Sequence, residues 1–426
     1  MKQFSLLLFI TLCTSLFARK PNVIIIFTDD QGSRDMAIYG AKDLKTDHMD
    51  SLARSGIRFT QFYAAAPVCS PSRVGLMTGR TPQHGGVNGN VKLGKAGMPA
   101  SQITIAEEFK KAGYATAHIG KWHLGHTKET VPNGQGFDYS FGHMVGCIDN
   151  YSHFYYWSGP NKHDLWRQNK EVFHNGEFFP ELMVNEASAF MDKNKDNPFF
   201  IYFALNTPHY PYQGSPEWLK HYNDKKIKYP RNLYAAFLST TDDYIGKLLK
   251  KVDDLGLRKD TIIVFQSDHG ASTEVRAHSG GGYSGEFRGA KFSLYEGGIR
   301  VPAMISWPGT IAGNQVRDQL STGCDWYPTL LELAGLPAPE HKIDGKSLVK
   351  VIKSNDAQSA HTEFIWKTGR AAIRKGKWKL HMAGKKIELY DIPADPGEKK
   401  NLAKENPEVV VELKKRYNDY WESIKK

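Results

Sequence analysis

Short apolar segments of strand length alternate along the chain with longer segments of helical character. The four clearest strand segments are 23–27, 116–119, 199–205 and 261–265. Each is apolar at consecutive positions, which is typical of a strand in a sheet that is covered on both faces. The alternation predicts an α/β fold with a large, mostly parallel or mixed central sheet flanked by helices on both faces.

Start and stop signals predict helices between these strands. Thr104 and Glu107 have the spacing of a capping box that begins a helix, and Gly113 ends it. A longer helix is predicted over about 233–255, and Pro328 suits the first turn of another helix. Helices in these places would form the connections between the strands.

The pattern of apolar and polar positions changes after a proline-containing segment near residue 338. Segments 370–382 and 387–391 have the alternation of short strands, and a final helix is predicted from about Pro407. We therefore expect a large α/β domain over 19–340. A C-terminal subdomain over 341–426 would contain a small antiparallel sheet and the terminal helix.

The first residues are typical of an export signal. Lys2 precedes an unbroken apolar run at 4–10, and the small Ala18 precedes the charged Arg19. The run is shorter than the roughly 20 apolar residues that a membrane-spanning helix needs. We therefore expect a signal peptide over 1–18, no membrane span, and a mature protein that is periplasmic or extracellular.

Net charge and cysteine content indicate the kind of partner and limit the disulfide bonds that are possible. The 426 residues carry a formal net charge of +11, which favours acidic partners such as sulfated polysaccharides, nucleic acid or anionic lipid, although a solvated basic surface is the alternative. Cys69, Cys147 and Cys324 follow the predicted signal, too few for a disulfide scaffold. Cys147 and Cys324 could pair in an oxidising compartment, and the sequence leaves that question open.

Each of the four predicted strands runs directly into a polar cluster. In chain order the clusters contain Asp29 and Asp30, Lys121 and His123, His209, and Asp268 and His269. Ligands of open α/β sheets bind at the carboxyl ends of the strands, so we expect one assembled site. Adjacent carboxylates repel each other, and their oxygens suit a hard divalent cation such as calcium.

The segment with the most specific chemistry runs from Cys69 to Arg80. It reads Cys-Ser-Pro-Ser-Arg-Val-Gly-Leu-Met-Thr-Gly-Arg. This segment resembles the signature of the type I sulfatases of the alkaline phosphatase-like superfamily, in which Cys-x-Pro-Ser-Arg directs oxidation of the cysteine to formylglycine (3-oxoalanine). A free buried cysteine is the alternative interpretation. The complete match, with further family motifs in order from Asn22 to the C-terminal segment, favours the family.

The resemblance implies a sulfuric ester hydrolase of the kind represented by secreted bacterial carbohydrate sulfatases. It also implies one calcium ion, with the following ligands: Asp29, Asp30, the modified Cys69, Asp268 and His269. A formylglycine-generating enzyme or an anaerobic sulfatase-maturating enzyme would be the partner that oxidises the cysteine. The substrate would be a sulfated oligosaccharide or polysaccharide, and no nucleic acid partner is expected.

The same resemblance assigns roles in catalysis. Positive charge on Arg73, Lys121 and Lys291 would stabilise the transition state, although Arg288 lies close enough in sequence to compete with Lys291 for its position. A hydroxyl of the hydrated aldehyde at position 69 would attack sulfur. His209 would then protonate the leaving alcohol, and His123 would accept the proton that is lost when sulfate departs.

Substrate specificity is the least determined feature of the sequence. An aromatic-rich stretch over 142–179 lacks periodicity and predicts an ordered loop region of the kind that holds substrate contacts. The candidate specificity residues are Asn88, His143, Trp157, Arg276 and His278.

Two other functions stay open at this point. A phosphate or phosphonate ester hydrolase of the same superfamily would use a comparable metal site, and some phosphonate hydrolases also use formylglycine. A non-catalytic polyanion-binding protein on this scaffold would suit the basic charge. Neither the cysteine nor any expected metal ligand is missing, which favours an enzyme.

Overall fold

The computed structural model describes residues 19–156 and 161–424. The strands are β1 Asn22–Thr28, β2 Gly56–Phe59, β3 Phe62–Tyr63, β4 Ala115–Lys121, β5 Tyr139–His143, β6 Phe154–Tyr155, β7 Lys162–His163, β8 Trp166–Arg167, β9 Lys170–Glu171, β10 Phe199–Ala204, β11 Thr261–Ser267, β12 Ala303–Ser306, β13 Gln315–Arg317, β14 Ser321–Thr322, β15 Glu363–Lys367, β16 Ala371–Lys375, β17 Trp378–Ala383 and β18 Lys386–Asp391.

The α-helices are α1 Asp47–Arg54, α2 Cys69–Thr78, α3 Ile105–Lys111, α4 Phe179–Asn194, α5 Pro216–Asp224, α6 Arg231–Asp254, α7 Glu296–Ile299, α8 Trp326–Leu333, α9 Val349–Lys353 and α10 Pro407–Ile424. Short 3-10 helices cover Ala37–Tyr39, Pro132–Gln135, Arg258–Asp260, Val275–Ala277 and Gly323–Asp325. No helix among the described residues is long and apolar enough to cross a membrane.

The large sheet has ten strands in the order β13-β2-β12-β11-β1-β10-β4-β5-β8-β9. Its central strands β11, β1, β10, β4 and β5 are parallel, with antiparallel neighbours on both sides. The four strands predicted from the sequence are β1, β4, β10 and β11, which lie side by side at the centre of the sheet. The prediction of a mixed, mostly parallel sheet is therefore confirmed.

Both faces of the sheet are covered, because the side chains of β1 point alternately into two cores. Val23, Ile25 and Phe27 pack with α2, α3 and α8 on one face. Ile24 and Ile26 pack with α1, α4 and α6 on the other. Burial on both faces explains why these strands are apolar at every position rather than at alternate positions.

Local signals place the helices as the sequence predicts. The Thr104 hydroxyl accepts a hydrogen bond from the backbone N–H of Glu107 (3.2 Å), and the Glu107 carboxylate accepts one from the N–H of Thr104 (2.7 Å), so the capping box is present. The long helix α6 begins two residues earlier than its apolar periodicity suggests, directly after Pro230.

The C-terminal part forms a separate antiparallel sheet in the order β15-β16-β17-β18, against which α10 packs. Strand β15 lies outside the segments predicted as strands from the sequence. Its buried residues Phe364 and Trp366 pack in one cluster with Tyr63, Leu294 and Ile299, which lie outside the small sheet. Contacts outside the small sheet therefore stabilise β15. Its short alternating pattern alone is only a weak indication of a strand.

A buried ion network joins the small sheet to the large domain. Lys379 on β17 lies 2.8 Å from a Glu296 carboxylate oxygen and 3.1 Å from one of Glu398, and all three side chains are fully buried. Tyr63 donates a hydrogen bond to Glu296 at 2.7 Å. Burial alone would raise the pKa of Glu296, but Lys379 and two arginines lower it to about 2. Glu296 is therefore an ionised carboxylate whose partners come from both parts of the chain.

We expect Lys379→Met to lower the free energy of unfolding by about 3–5 kcal/mol, because it removes the buried cation that contacts both Glu296 and Glu398. Chemical denaturation followed by circular dichroism measures the change. The matched control is Lys377→Met, since the Lys377 side chain is 56% exposed and pairs with Asp391 at the surface. That variant should lose less than about 1 kcal/mol. Equal losses for the two variants would contradict the role assigned to the network.

In the described part of the chain, Cys69, Cys147 and Cys324 are buried, free thiols. The Cys147–Cys324 pairing that the sequence left open is therefore not present among the described residues. Burial raises the pKa of the Cys147 thiol to about 12 and that of Cys324 well above its ordinary value. Both are consequently protonated and unreactive at neutral pH.

Candidate active site

The carboxyl ends of the central strands meet at one edge of the large sheet. The N–H of Asp29 donates to the carbonyl of Thr207 (3.0 Å), and the N–H of Asp268 donates to the carbonyl of Thr28 (3.0 Å). These bonds continue the parallel ladder past the ends of β1, β10 and β11. The polar clusters predicted to form one site are thereby held side by side.

Cys69 is the first residue of helix α2, and the N-terminus of this helix points at the strand ends. Its sulfur lies 3.6 Å from a carboxylate oxygen of Asp29 and 3.3 Å from Nε2 of His269. The hydroxyl of Ser72, one turn along, donates to the carbonyl of Asp268 at 2.5 Å and fixes the helix to β11. The partial positive charge of a helix N-terminus favours an anion at this position.

A compact set of potential metal ligands surrounds the cysteine. Asp29, Asp30, Cys69 and His269 each offer a ligand atom, and these atoms all lie within 4.8 Å of one another. Asp268 joins them, since His269 Nε2 lies 3.5 Å from Asp268 Oδ1 and also 3.5 Å from Asp30 Oδ1. The structure therefore brings together every residue that the resemblance assigns to the metal.

Two observations test whether this set fits a cation. Asp30 Oδ1 is buried and has no hydrogen-bond partner, which is the condition that a bound cation relieves. The Nδ1–H of His269 donates to the Gly270 carbonyl at 3.0 Å. Because a carbonyl only accepts, the neutral ring then presents the lone pair of Nε2 to the cluster, as metal-binding histidines do. The donor set fits.

The ionisation of the carboxyls leads to the same conclusion. Burial raises the pKa of Asp30 and of Asp268 to about 7, since several acids lie close together in a buried cluster that excludes water. Burial alone would lower the pKa of His269, but the negative charges of Asp268 and Cys69 raise it to about 9. A bound cation would replace that proton, because metal binding requires deprotonated ligands.

Three cations contact the carboxylates, but only one lines the open cavity. Lys121 Nζ lies 2.5 Å from Asp29, and Arg73 Nη2 lies 3.2 Å from Asp268. Both cations are fully buried behind the cluster, where they neutralise and orient the acids. Of the three cations, Lys291 alone is among the residues that line the cavity.

Lys291, rather than its neighbour Arg288, occupies the site. Lys291 Nζ lies 3.0 Å from Asp30 Oδ2 and 3.4 Å from Glu274. Arg288 instead donates to the Tyr390 hydroxyl and to the Glu398 carbonyl. It therefore belongs to the contact with the small sheet.

The two histidines have defined tautomers. His123 donates Nε2–H to the carbonyl of Val91 at 3.2 Å, and its Nδ1 is buried without a partner. His209 donates Nδ1–H to the carbonyl of Tyr210 at 2.7 Å, and its Nε2 lies 3.6 Å from Asp30. Burial and the nearby lysines hold the pKa of both rings well below the usual value. Each neutral ring thus offers one free lone pair.

These groups form one end of a cavity of about 540 Å³, a size typical of small-molecule sites. Its lining residues are Cys69, Asn90, Val91, Lys92, Leu93, His123, Val145, Gly146, Cys147, Tyr155, His209, Lys291 and Phe292. The cavity contains lysines and histidines but no carboxylate at its wall, so it favours an anionic ligand.

The predicted specificity residues lie elsewhere. Asn88 is exposed outside the cavity, Arg276 is exposed within the 3-10 helix Val275–Ala277, and His278 is exposed directly after it. His143 is fully buried against Phe179. Trp157 lies outside the described residues. None of the other four lines the cavity.

Residues 90–93 line one wall of the cavity, and they were not predicted from the sequence. Asn90 accepts a hydrogen bond from the N–H of Ser70 (3.1 Å), and the N–H of Val91 donates to the Ser70 hydroxyl (3.0 Å). This wall is positioned by contacts with the helix of the cysteine, and the segment has no periodicity of its own. The one sequence feature that indicated this segment was its position next to Asn88, a candidate specificity residue.

Comparisons with known proteins agree with this geometry. The family model described as Sulfatase matches residues 21–336, and the one described as N-sulphoglucosamine sulphohydrolase, C-terminal, matches 285–423. Arylsulfatase A of Homo sapiens is 32% identical over 93% of this chain and 87% of its own. N-acetylgalactosamine-6-O-sulfatase of Bacteroides thetaiotaomicron is 29% identical over 96% and 94%. The crystal structure of Ps i-CgsB in complex with k-i-k-neocarrahexaose superposes with a TM-score of 0.86 at 29% identity, covering 94% and 93%.

Proposed function

Because the chain belongs to the sulfatase family, we propose that it hydrolyses sulfate esters of a carbohydrate, using a formylglycine formed from Cys69 and one calcium ion. The observation that carries the proposal is the position of Cys69. Its sulfur contacts Asp29 and His269 within a ligand set that fits a cation. The same residue lines a cavity whose wall contains cations and no carboxylate.

The two cofactors define what the remaining side chains must do. Calcium supplies positive charge beside the sulfate, and the aldehyde form of residue 69 supplies, as its hydrate, a nucleophilic hydroxyl. Burial would raise the pKa of Asp29, but Lys121 and nearby positive charges hold it well below the usual value, so Asp29 stays ionised. Arg73 contacts Asp268 from behind the cluster at 3.2 Å and offsets part of the effect of burial, which still raises the pKa of that carboxyl to about 7. Lys291 attracts the sulfate oxygens from the cavity side.

The histidines move the protons. His123 lines the cavity, and its buried Nδ1 has a lone pair without a partner, which suits the base that accepts the proton of residue 69. His209 is the proposed general acid and must first gain a proton on Nε2. A sulfate anion beside the ring favours that protonation, which raises the pKa of His209 in the complex relative to the free enzyme.

Removing His209 should slow poor leaving groups selectively. We expect His209→Ala to reduce kcat/KM for a sugar sulfate about 10²-fold, and for 4-nitrophenyl sulfate less than about threefold, because an aryl oxide leaves without a proton. Sulfate release followed by ion chromatography measures both. His278→Ala, an exposed histidine outside the cavity, should leave both rates unchanged. Equal losses on the two substrates would contradict the general acid assignment.

Export and maturation belong to the same proposal. The sulfatase family model begins to match at residue 21, directly after the predicted cleavage near Arg19, which supports a signal peptide over 1–18. Residues 1–18 lie outside the described residues. We propose a periplasmic or extracellular enzyme whose Cys69 is oxidised by a formylglycine-generating or anaerobic sulfatase-maturating enzyme. The catalytic domain would cover 19–340 and the C-terminal subdomain 341–426.

The carbohydrate substrate is supported by the relatives and by the site. N-acetylgalactosamine-6-O-sulfatase of Bacteroides thetaiotaomicron is named for a sugar sulfate, and Ps i-CgsB is described in complex with k-i-k-neocarrahexaose. The test is a panel of sulfated sugars, phosphate esters and phosphonate esters with the matured protein. Release of sulfate from a sugar is the expected result. Release of phosphate or phosphonate with no sulfate would contradict the proposal.

A further inference from the structure

We propose that Lys92 is a specificity-determining residue that binds a second anionic group of the substrate, in addition to the sulfate ester that is cleaved. The second group is a further sulfate or a carboxylate on the same sugar or the next one. This inference rests on the proposed function, because it names the class of sugar sulfate that fits the cavity.

The two lysines that line the cavity have different environments. Lys291 is buried and is already paired with Asp30 and Glu274. Lys92 is exposed, and its ammonium forms no ion pair or hydrogen bond with any side chain in the described part of the protein. Because no carboxylate lines this cavity, the charge of Lys92 is available to a ligand anion.

The backbone beside Lys92 is fixed to the catalytic residues. The N–H of Val91 donates to the Ser70 hydroxyl (3.0 Å), and the same hydroxyl donates to the His123 carbonyl (2.7 Å). The carbonyl of Val91 in turn accepts the Nε2–H of His123. The α-carbon of Lys92 therefore keeps a constant position relative to Cys69 and His123, which a specificity contact requires.

The cavity also contains apolar surface that suits a sugar ring. Phe292 is 51% exposed, and it has a left-handed backbone with a φ of 69°. That conformation is uncommon for a bulky residue and is typical of functional sites. Leu93, next to Lys92, is 37% exposed. An aromatic ring and a leucine at the cavity can pack against the C–H face of a sugar while Lys92 binds its anionic substituent.

The experiment compares substrates that differ only in the second anion. A hexosamine with two sulfate groups, a sulfated disaccharide with a uronic acid, and the matched monosulfated hexosamine are assayed with wild type, Lys92→Ala and Lys92→Glu. Lys95→Ala is the control, because Lys95 lies in the same turn, is exposed, and does not line the cavity. The disulfated and uronic acid arms distinguish a sulfate from a carboxylate as the second group.

We expect Lys92→Ala to raise KM about tenfold for at least one dianionic substrate, the size of a lost charge-assisted hydrogen bond. Lys92→Glu should raise KM further, and KM for the monosulfated sugar should change less than about twofold in either variant. Lys95→Ala should match wild type. Equal effects on mono- and dianionic substrates, or no effect on either dianionic arm, would overturn the proposal.

A binding measurement separates this inference from the proposed function. In the Cys69→Ala background, calorimetry measures the Kd of the same intact sugars without turnover. Weaker binding of a dianionic sugar on adding Lys92→Ala, with unchanged binding of the monosulfated sugar, supports the role of Lys92 even if wild type releases no sulfate. Wild-type sulfate release without that difference in Kd would contradict the Lys92 inference alone.

Discussion

Replacing Cys69 by serine should reduce steady-state sulfate release by at least about 10⁴-fold, a loss typical of removing a catalytic nucleophile. Serine has one hydroxyl, whereas the hydrate of an aldehyde has two. A serine that attacks sulfur forms a sulfate ester with no second hydroxyl to expel sulfate. We therefore expect at most one equivalent of alcohol per enzyme and almost no free sulfate. Ion chromatography of sulfate and intact-protein mass spectrometry measure the two quantities.

The matched control is Cys324→Ser. Cys324 is also a buried free thiol, but it lies near the Arg80 carbonyl and does not line the cavity. This variant should retain wild-type sulfate release per folded molecule, which circular dichroism checks. Turnover of Cys69→Ser at the wild-type rate would show that the second hydroxyl is not needed, and the proposed use of formylglycine would be wrong.

Removing the metal should have the second largest effect. We expect chelation with EGTA to reduce sulfate release by at least about 10³-fold, because the substrate then meets several buried carboxylates without the cation that offsets them. Added calcium should restore the rate. Metal analysis of the protein before and after chelation provides a readout that does not depend on activity, with about one ion per chain expected before chelation.

Substitution of a proposed metal ligand tests the same requirement for a cation without a chelator. Asp30→Asn removes the charge of a residue whose Oδ1 is buried without a partner, and it should lower both metal content and activity. Asp196→Asn, at an exposed acid outside the site, should change neither. Full activity in protein that is metal-free by analysis would contradict the cation. Restoration by zinc or manganese but not by calcium would identify a different ion.

Much of the candidate site could be predicted because parallel strands bring distant residues together at one edge. Asp29, His209 and Asp268 lie far apart in sequence, yet each follows a continuous apolar strand. The continuous apolar pattern predicts a central parallel strand, and its carboxyl end predicts a ligand site. The Cys69 motif added the chemistry, which no hydrophobic pattern contains.

Other features could not be predicted, because they depend on tertiary contacts. The wall around Lys92 is held by hydrogen bonds to Ser70 and His123, not by a local pattern. His143 was expected on a loop near the site, but it is the last residue of β5 and is fully buried. Arg73 is likewise buried behind the acids. Residue type alone does not distinguish a cation that touches substrate from one that orients carboxylates.

The most direct test of the central claim is mass spectrometry of the peptide that contains Cys69, from protein made in a host with sulfatase-maturating activity. We predict a loss of about 18 mass units, the change from thiol to aldehyde, with sulfate release proportional to the converted fraction. Unmodified Cys69 in protein that releases sulfate at full rate would contradict the account, as would complete conversion without release of sulfate from any sulfated sugar.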